Sequence, residues 1–239
     1  MIFVQAVLLA GGLGTRLQSV VNDRPKPMAD VCGKPFMEYL IMELKKHGIT
    51  HLIFAVGYKG SMIEDYFHDG SQLGVQIEYS YETTQLGTAG AIKNAEKFIT
   101  EPEFLVLNAD TFYQAAYEDA IALYQEKRLD MVLVLRRVED ISRYGSVVVE
   151  NSIIQRFNEK VVEKTSGLIN GGIYLMKKEI LKEIPENTKS SLENEIIPLL
   201  LKERKKLGAV INEGYFIDIG IPEDYIQFIQ DVEKKRIIF

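Results

Sequence analysis

The chain has 239 residues, of which 46% are hydrophobic and 26% are charged. This composition predicts one globular domain with a full hydrophobic core and argues against a disordered chain. The formal net charge of -6 argues against a nucleic-acid partner, because proteins that bind such polymers usually carry a basic face. Small phosphorylated ligands remain compatible with it, since a few local cations are enough to bind them.

The chain shows no targeting or membrane-spanning pattern. Its first five residues run into an apolar stretch without the basic flank and the small-residue cleavage site of a secretory signal. No apolar run approaches the roughly 20 residues that span a bilayer. We therefore expect a cytoplasmic protein with no membrane partner. The oligomeric state stays open, a homo-oligomer included.

Cysteine and histidine supply no recognisable reactive site. Cys32 is the single cysteine, so it can form no intramolecular disulfide or cysteine-based zinc cluster, and it is predicted to be a small buried hydrophobe. His47 ends a predicted helix, His51 begins a strand and His68 lies near a helix end. None of the three has the spacing of metal ligands or of a catalytic triad.

Apolar runs and amphipathic segments alternate in the first 136 residues. A helix is predicted from residue 36 to the Lys45-Lys46-His47 end, with Gly48 after it. The alternation predicts right-handed βαβ units. Four runs predict strands buried on both faces of a parallel sheet, at residues 3–10, 52–56, 104–107 and 131–135.

The pattern changes after Arg136. Short strand-like segments without long helices between them predict an antiparallel addition, at residues 146–150, 153–158 and 168–175. Helices are predicted at 192–206 and 222–234, with a strand at 215–219 between them. Pro198 is expected in the first turn of the earlier helix or at a kink in it. The predicted fold is α/β, a Rossmann-like, mostly parallel central sheet flanked by helices, with the antiparallel addition in the C-terminal half.

A glycine-rich loop, residues 11–16 (GGLGTR), follows the first strand, where an open parallel sheet has its ligand crevice. Its three glycines allow backbone N–H groups to approach a polyphosphate closely. A Rossmann fingerprint would need glycine at Leu17, and a Walker A loop would need lysine followed by serine or threonine. Arg16 could hold phosphate oxygens in a bidentate fork. The alternative is a tight strand-to-helix turn.

Lys26 lies between Pro25 and Pro27. Both prolines restrict the backbone, so the lysine ammonium is presented from a stiff segment. A lone lysine is usually a solvated surface group. Its closeness to the glycine-rich loop favours a role beside bound phosphate.

Residues 9–17 (LAGGLGTRL) followed by 25–28 (PKPM) resemble the opening motif of the sugar-1-phosphate nucleotidyltransferases. These enzymes join the nucleoside monophosphate of an NTP to a sugar phosphate and release pyrophosphate. The resemblance implies the nucleotide-diphospho-sugar transferase fold in a single domain, residues 1–239. Residues 1–136 would form the nucleotide-binding half and 137–239 the sugar-phosphate-binding half.

The resemblance continues in the family's order along the whole chain. The segments are Glu82 with 86–90 (LGTAG) for the base, 108–110 (NAD) for magnesium, 157–160 (FNEK) for the sugar phosphate, 168–174 (LINGGIY) for the sugar and 216–220 (FIDIG) for a second metal aspartate. One departure is Asn108, where many relatives carry glycine, and it leaves the packing beside Asp110 open.

Residues 17–20, 143–145 and 215–225 look most like the D-glycero-α-D-manno-heptose 1-phosphate guanylyltransferases. Mannose-1-phosphate guanylyltransferases and muramate-1-phosphate uridylyltransferases share most of this pattern, and uridylyl- or thymidylyltransferases for other sugars stay open. The resemblance implies GTP and a sugar 1-phosphate as substrates, and a role in making precursors of bacterial surface polysaccharide or other glycans.

The resemblance also implies a set of site residues. Arg16, Lys26 and Asp110 would be catalytic, and Asp110 and Asp218 would bind the cofactor Mg²⁺. Nucleotide-binding residues would be Ala10, Gly11, Gly12, Gly14, Thr15, Arg16, Glu82, Gly87 and Thr88. Sugar-phosphate-binding residues would be Gly145, Glu159, Lys160 and Asn170.

Nucleotidyl transfer needs charge neutralisation and in-line positioning more than covalent chemistry. Two aspartates with Mg²⁺ and two cations supply both, and no general base is needed because a sugar phosphate is already an anion. Each assignment has a plainer alternative. Asp110 could cap a turn, Asp218 could pair with a nearby cation, and Lys160 could be a solvated partner of Glu159.

Two other classes compete. A metal-dependent glycosyltransferase usually carries an Asp-x-Asp pair, but positions 108 and 112 are Asn and Phe. A sugar-nucleotide sensor would have lost metal or cation residues, and none is visibly lost. GTP is favoured because the two acceptors of the Glu82 carboxylate match the N1–H and N2–H₂ donors of guanine. Glu82 could instead be a solvated loop residue.

Overall fold

The computed structural model describes residues 4–17, 19–142, 145–160 and 164–239, with only the backbone of Glu159 and Lys160. Its strands are β1 (Gln5–Leu9), β2 (Asp30–Val31), β3 (Lys34–Pro35), β4 (His51–Val56), β5 (Gln76–Tyr81), β6 (Glu103–Asn108), β7 (Thr111–Tyr113), β8 (Met131–Val138), β9 (Gly145–Glu150), β10 (Ile153–Lys160), β11 (Gly167–Lys177), β12 (Leu207–Ile211) and β13 (Phe216–Asp218). Its α-helices are α1 (Phe36–Lys46), α2 (Gly60–Phe67), α3 (Gly87–Asn94), α4 (Tyr117–Lys127), α5 (Ile197–Lys202) and α6 (Pro222–Glu233).

The main sheet has the strand order β5-β4-β1-β6-β11-β8-β12-β10-β9 within the described residues. The strands β5, β4, β1 and β6 are mutually parallel. The apolar runs predict this for β4, β1 and β6. The antiparallel addition is confirmed, but one of its strands is not peripheral. The strand β11 runs antiparallel between β6 and β8, in the middle of the sheet. The C-terminal half therefore reaches the same crevice as the N-terminal half.

Side chains of the central strands alternate between two cores. Ala6 and Leu8 of β1 face a cluster that includes the apolar faces of α1, α2 and α4, whereas Val7 faces a cluster that includes α3 and α5. A sheet covered by helices on both faces explains why these strands are continuous apolar runs. The observed architecture is thus the α/β fold that the sequence predicts.

A third, aromatic cluster lies beside the sheet. Phe36 of α1, Phe112 of β7 and Phe228 of α6 pack together, with ring centroids 4.9 Å apart for Phe36–Phe228 and 5.4 Å for Phe112–Phe228. Leu17 and Ile217 belong to the same cluster. Truncating a fully buried phenylalanine typically costs about 3–5 kcal/mol. This cluster therefore anchors the glycine-rich loop and β13 to the body of the protein.

Two local predictions need correction. Cys32 is exposed, because it occupies the tight turn between β2 and β3, with a φ of 52° next to Gly33 at 85°. A two-residue hairpin turn with positive φ at both positions points its side chains to solvent. The helix predicted at 192–206 is a π-helical turn, Leu192–Ile196, followed by α5, and Pro198 lies in the first turn of α5. No helix in the described part of the chain is long and apolar enough to cross a membrane.

Candidate active site

A crevice opens where β1 and β6 end. Its first pocket is lined by residues that the sequence singles out: Ala10, Gly12, Gly14, Thr15, Arg16, Lys26 and Asp110, together with Gly220. A second pocket shares Gly12 and Asp110 with the first and is lined also by Gly11, Glu82, Gln85, Gly87, Thr88, Asn108 and Lys189. The fold thus brings the predicted phosphate loop, base segment and first metal aspartate into one continuous site.

Lys26 binds the two predicted metal ligands. Its Nζ lies 2.6 Å from Asp110 Oδ2 and 3.6 Å from Asp218 Oδ1, and only 8% of its side chain is exposed. Asp110 follows β6, and β13 pairs with β7 so that Asp218 lies opposite Thr111. A further backbone bond runs from Ile219 N to Asp110 O, 3.0 Å. This small ladder explains why two aspartates far apart in sequence become neighbours.

The electrostatics of this cluster suit a divalent cation. Burial first, and the nearby charge of Asp110 second, raise the pKa of Asp218, while Lys26 and Arg16 oppose the shift. Two partly buried carboxylates whose charges repel each other are costly unless cations neutralise them. Carboxylate oxygens are the hard ligands that Mg²⁺ prefers. Asp110 and Asp218 therefore fit a magnesium ion held from the protein side.

The glycine-rich loop packs directly against the lysine. Gly14 has a φ of 61°, and a Cβ placed on it would lie 3.0 Å from Lys26 Cβ. A residue with a side chain would be strained there and would push on the lysine stem. Arg16 follows in the short 3₁₀ helix Thr15–Leu17, whose Leu17 is buried in the aromatic cluster. The loop conformation and the position of Lys26 are consequently interdependent.

Glu82 lies at the other end of the crevice, wedged between two glycines. A Cβ on Gly57 would come within 2.5 Å of Glu82 Oε1, and a Cβ on Gly11 would collide with the same oxygen. Glu82 Oε2 accepts a hydrogen bond from Leu86 N at 3.2 Å. Burial raises the pKa of this carboxyl. Sequence reasoning selects Glu82 and Gly11 but misses Gly57, whose only signal is a single glycine after a strand.

The start of α3 depends on a contact with a distant segment. Gly87 has a φ of 71°, and a Cβ there would lie 2.5 Å from Ser190 O. Ser190 N donates to Leu86 O at 2.8 Å, and Ser190 O accepts from Ala89 N at 3.0 Å. The preceding Lys189 lines the second pocket, and no ion pair to it is present within the described residues. Sequence reasoning misses Lys189, because a lysine in a polar run looks like a solvated group.

The predicted sugar-phosphate residues lie on β9, β10 and β11. Gly145 pairs with Lys160, and Ile169 pairs with Ser146, so these strand ends are neighbours. Asn170 begins the bulge of β11, and its Oδ1 accepts from Gly172 N at 3.1 Å. Neither Gly145 nor Asn170 lines the two pockets above. The side chains of Glu159 and Lys160, and residues 143 and 144, lie outside the described residues.

Comparison with known proteins decides the family. The model of the nucleotidyl transferase family matches residues 5–235. The chain belongs to the nucleotidyl transferase family. It is 45% identical to a D-glycero-alpha-D-manno-heptose 1-phosphate guanylyltransferase of Campylobacter jejuni, over 95% of this chain and 99% of that protein. A protein of the same description from Aneurinibacillus thermoaerophilus is 39% identical, over 93% of this chain and 95% of that protein.

The fold agrees with a solved structure. HddC from Yersinia pseudotuberculosis matches with a TM-score of 0.85 and 35% identity, over 96% of this chain and all of that chain, and one of its crystal structures is complexed with GMP-PN. This nucleotidyl transferase is therefore an enzyme with the nucleotide-diphospho-sugar transferase fold. The sequence prediction of fold and enzyme class is confirmed, and the glycosyltransferase and sensor alternatives are removed.

Proposed function

We propose that this nucleotidyl transferase condenses GTP with D-glycero-α-D-manno-heptose 1-phosphate, giving a GDP-sugar and pyrophosphate. An oxygen of the sugar phosphate attacks the α-phosphorus of GTP, and the bond from that phosphorus to the β,γ-pyrophosphate breaks. Pyrophosphate leaves with the bridging oxygen. The two bacterial relatives described above bear the name of this activity. A nucleotide-activated heptose of this kind would supply enzymes that build surface polysaccharide or other glycans.

The observation that carries the guanine preference is the position of Glu82. Its carboxylate is fixed between Gly11 and Gly57 at the crevice, with one oxygen bonded to Leu86 N. Guanine presents N1–H and N2–H₂ as neighbouring donors, which match two carboxylate oxygens. Uracil and thymine present one donor, and adenine would place an unprotonated ring nitrogen against the carboxylate. An unmatched buried acceptor costs about 1–3 kcal/mol, which supports a preference for GTP.

The phosphate end would be handled by Lys26, Arg16 and the two aspartates. When bound, Mg²⁺ at Asp110 and Asp218 would neutralise charge on the triphosphate. Lys26 is already held in place by both carboxylates and by Gly14. The backbone N–H groups of Gly11, Gly12 and Gly14 have no side chain beside them and would hold phosphate oxygens. Arg16 would add a preorganised cation beside the leaving pyrophosphate.

The sugar phosphate would be held from the C-terminal half. Lys160 is proposed as its cation, with Glu159, Gly145 and Asn170 around the sugar. Lys189 is a further cation for this substrate, since it lines the same pocket as Asn108 and Asp110. Two cations on the attacking phosphate would reduce its repulsion from the triphosphate. In this proposal residues 1–136 bind the nucleotide and residues 137–239 bind the sugar phosphate.

The test is pyrophosphate release from four NTPs paired with a panel of sugar 1-phosphates in the presence of Mg²⁺. The panel includes D-glycero-α-D-manno-heptose 1-phosphate, mannose 1-phosphate and glucose 1-phosphate. We expect the highest kcat/KM for GTP with the heptose phosphate. A higher value with UTP or dTTP would refute the base assignment, and a higher value with mannose 1-phosphate would refute the sugar assignment.

A further inference from the structure

A line of hydrogen bonds joins the two halves of the site through four side chains. Thr88 Oγ1 lies 2.8 Å from Glu193 Oε2, and Tyr174 OH lies 2.8 Å from Glu193 Oε1. The line ends at Asn170, whose Nδ2 lies 2.5 Å from Tyr174 OH. Thr88 belongs to α3 at the nucleotide pocket, and Asn170 belongs to the bulge of β11. Glu193 and Tyr174 have no other assigned role.

Each hydrogen bond in this line has a defined donor and acceptor. Thr88 Oγ1 already accepts from Leu192 N at 2.8 Å, so its own proton points to Glu193. Tyr174 is fully buried, and burial raises its pKa well above the ordinary value, so its hydroxyl keeps the one proton and donates it to Glu193. The same hydroxyl can then accept from Asn170.

Asn170 is held at both ends of its amide. Its Oδ1 accepts from Gly172 N at 3.1 Å, and its Nδ2 donates to Tyr174. The amide keeps a second N–H, which no hydrogen bond within the described residues uses. Tyr174 is fully buried and hydrogen-bonded on both sides, and Glu193 accepts from Thr88 and Tyr174, so this network favours one arrangement. A shift of α3 at Thr88 would therefore be transmitted to the Asn170 amide through Glu193.

Glu193 reaches both ends because its segment is fixed against α3. It lies in the π-helical turn Leu192–Ile196, where Ser191 Oγ donates to Glu193 Oε2 at 3.2 Å. The neighbouring Ser190 is bonded to Leu86 and Ala89 on the α3 side. The carboxylate is thus the common acceptor for one hydroxyl from the nucleotide half and one from the sugar-phosphate half.

We propose that Glu193 is a positioning residue that couples the two substrate sites, so that binding of the nucleotide strengthens binding of the sugar phosphate. This inference rests on the function proposed above. The first substrate would order α3 and, through Thr88, Glu193 and Tyr174, the amide of Asn170. The second substrate then meets a site that is already ordered. By linkage, the sugar phosphate strengthens nucleotide binding by the same factor.

The experiment measures the coupling factor by titration calorimetry. It is the ratio of the Kd of the sugar 1-phosphate without and with a saturating GTP analogue whose α–β bridge is a methylene group, so that no turnover occurs. We expect at least about fivefold coupling in the wild-type enzyme. Tyr174→Phe and Glu193→Gln should reduce the factor to within about twofold of unity, because each breaks the line.

Two further variants separate coupling from simple structural damage. Thr88→Val removes the first donor of the line and should lower the coupling factor. Because Thr88 is only half-buried, this variant keeps the test decisive if Tyr174→Phe or Glu193→Gln fails to fold. Tyr79→Phe removes a hydroxyl that donates to His68 O at 2.6 Å. Tyr79 lines neither pocket of the site, so this variant should leave the factor unchanged.

The outcomes are distinguishable from failure of the proposed function. If neither GTP nor any sugar 1-phosphate of the panel binds, the proposed function is wrong. If both bind but the wild type shows no coupling, or if Thr88→Val and any folded variant at Glu193 or Tyr174 retain it, the coupling role alone is wrong. Loss of coupling with equal loss in Tyr79→Phe would also overturn it, since the effect would then be general.

Discussion

The two halves of the site are built by different means. In the nucleotide half, glycines make room for charged side chains, as Gly11 and Gly57 do for Glu82 and Gly14 does for Lys26. In the sugar-phosphate half, hydroxyl and amide side chains hold one another, as Tyr174 holds Asn170. In the first case, the absence of a side chain lets charged groups pack against the backbone. In the second case, hydrogen bonds with defined donors and acceptors hold the side chains in place. Substitution should therefore act on the first by crowding a charged side chain and on the second by removing a hydrogen bond.

The largest effect is expected at the centre of the nucleotide half. Asp110→Asn keeps the shape but removes the charge that faces Lys26 and the proposed metal, so kcat should fall about 100-fold or more, as with other major electrostatic groups. Steady-state kinetics in saturating Mg²⁺ measures it, with Asp119→Asn on the outer face of α4 as the matched control. Retention of more than about a tenth of wild-type kcat would rule out the assignment.

The next effect separates the halves. Lys160→Ala should raise KM for the sugar phosphate about 10- to 150-fold, the equivalent of 1.5–3 kcal/mol for a charged hydrogen bond, and change KM for GTP far less. The exposed Lys164→Ala is the matched control, and initial rates with one substrate varied at a time give both constants. Equal increases in the two KM values would show that the halves do not divide the substrates.

A smaller effect tests the role of a glycine that makes room. Gly57→Ala would place a Cβ 2.5 Å from Glu82 Oε1, and the carboxylate must move because the backbone around Gly57 continues β4. We expect kcat/KM for GTP to fall about tenfold or more, the equivalent of a lost buried hydrogen bond, with little change in KM for the sugar phosphate. Unchanged kinetics with GTP would mean that the wedge does not position Glu82.

The smallest effect concerns stability and pH. Burial raises the pKa of Glu82, so its favourable contribution to folding is present below the unfolded pKa of about 4.3 and is lost as pH rises through the folded value. Glutamine does not titrate. The free energy of unfolding of Glu82→Gln, relative to wild type without nucleotide, should therefore increase between about pH 4 and pH 7. Denaturant unfolding measures it, and a flat or decreasing difference would contradict the burial of a charged carboxylate.

The sequence predicts best what depends on local pattern. The strands β1, β4, β6 and β8 are apolar runs, and their positions are correct to within a few residues. The phosphate loop, Lys26 and both aspartates follow from motifs, and the fold does place them together. Backbone conformations that need glycine can be recognised from the sequence, because few other residues adopt them.

Long-range contacts cannot be recognised from the sequence in this way. The strand β11 lies between β6 and β8 and has a bulge after Asn170, and the sequence of this 11-residue strand does not show which strands pair with it. Glu193 resembles any solvated glutamate on a helix, since its partners Thr88 and Tyr174 are 105 and 19 residues away. The residue type of Cys32 predicts a buried side chain, but its position in the turn makes it exposed. Such features depend on tertiary packing and become visible only in the three-dimensional structure.

The central claim is that the Glu82 carboxylate, held between Gly11 and Gly57, reads guanine. The most direct measurement is the ratio of kcat/KM for GTP to that for UTP, in the wild type and in Glu82→Gln, with the same sugar 1-phosphate. The wild-type ratio should be about tenfold or more, and it should fall towards parity in the variant, since the amide turns one acceptor into a donor that faces a donor. An unchanged ratio in Glu82→Gln, or a wild-type ratio below one, would contradict the account.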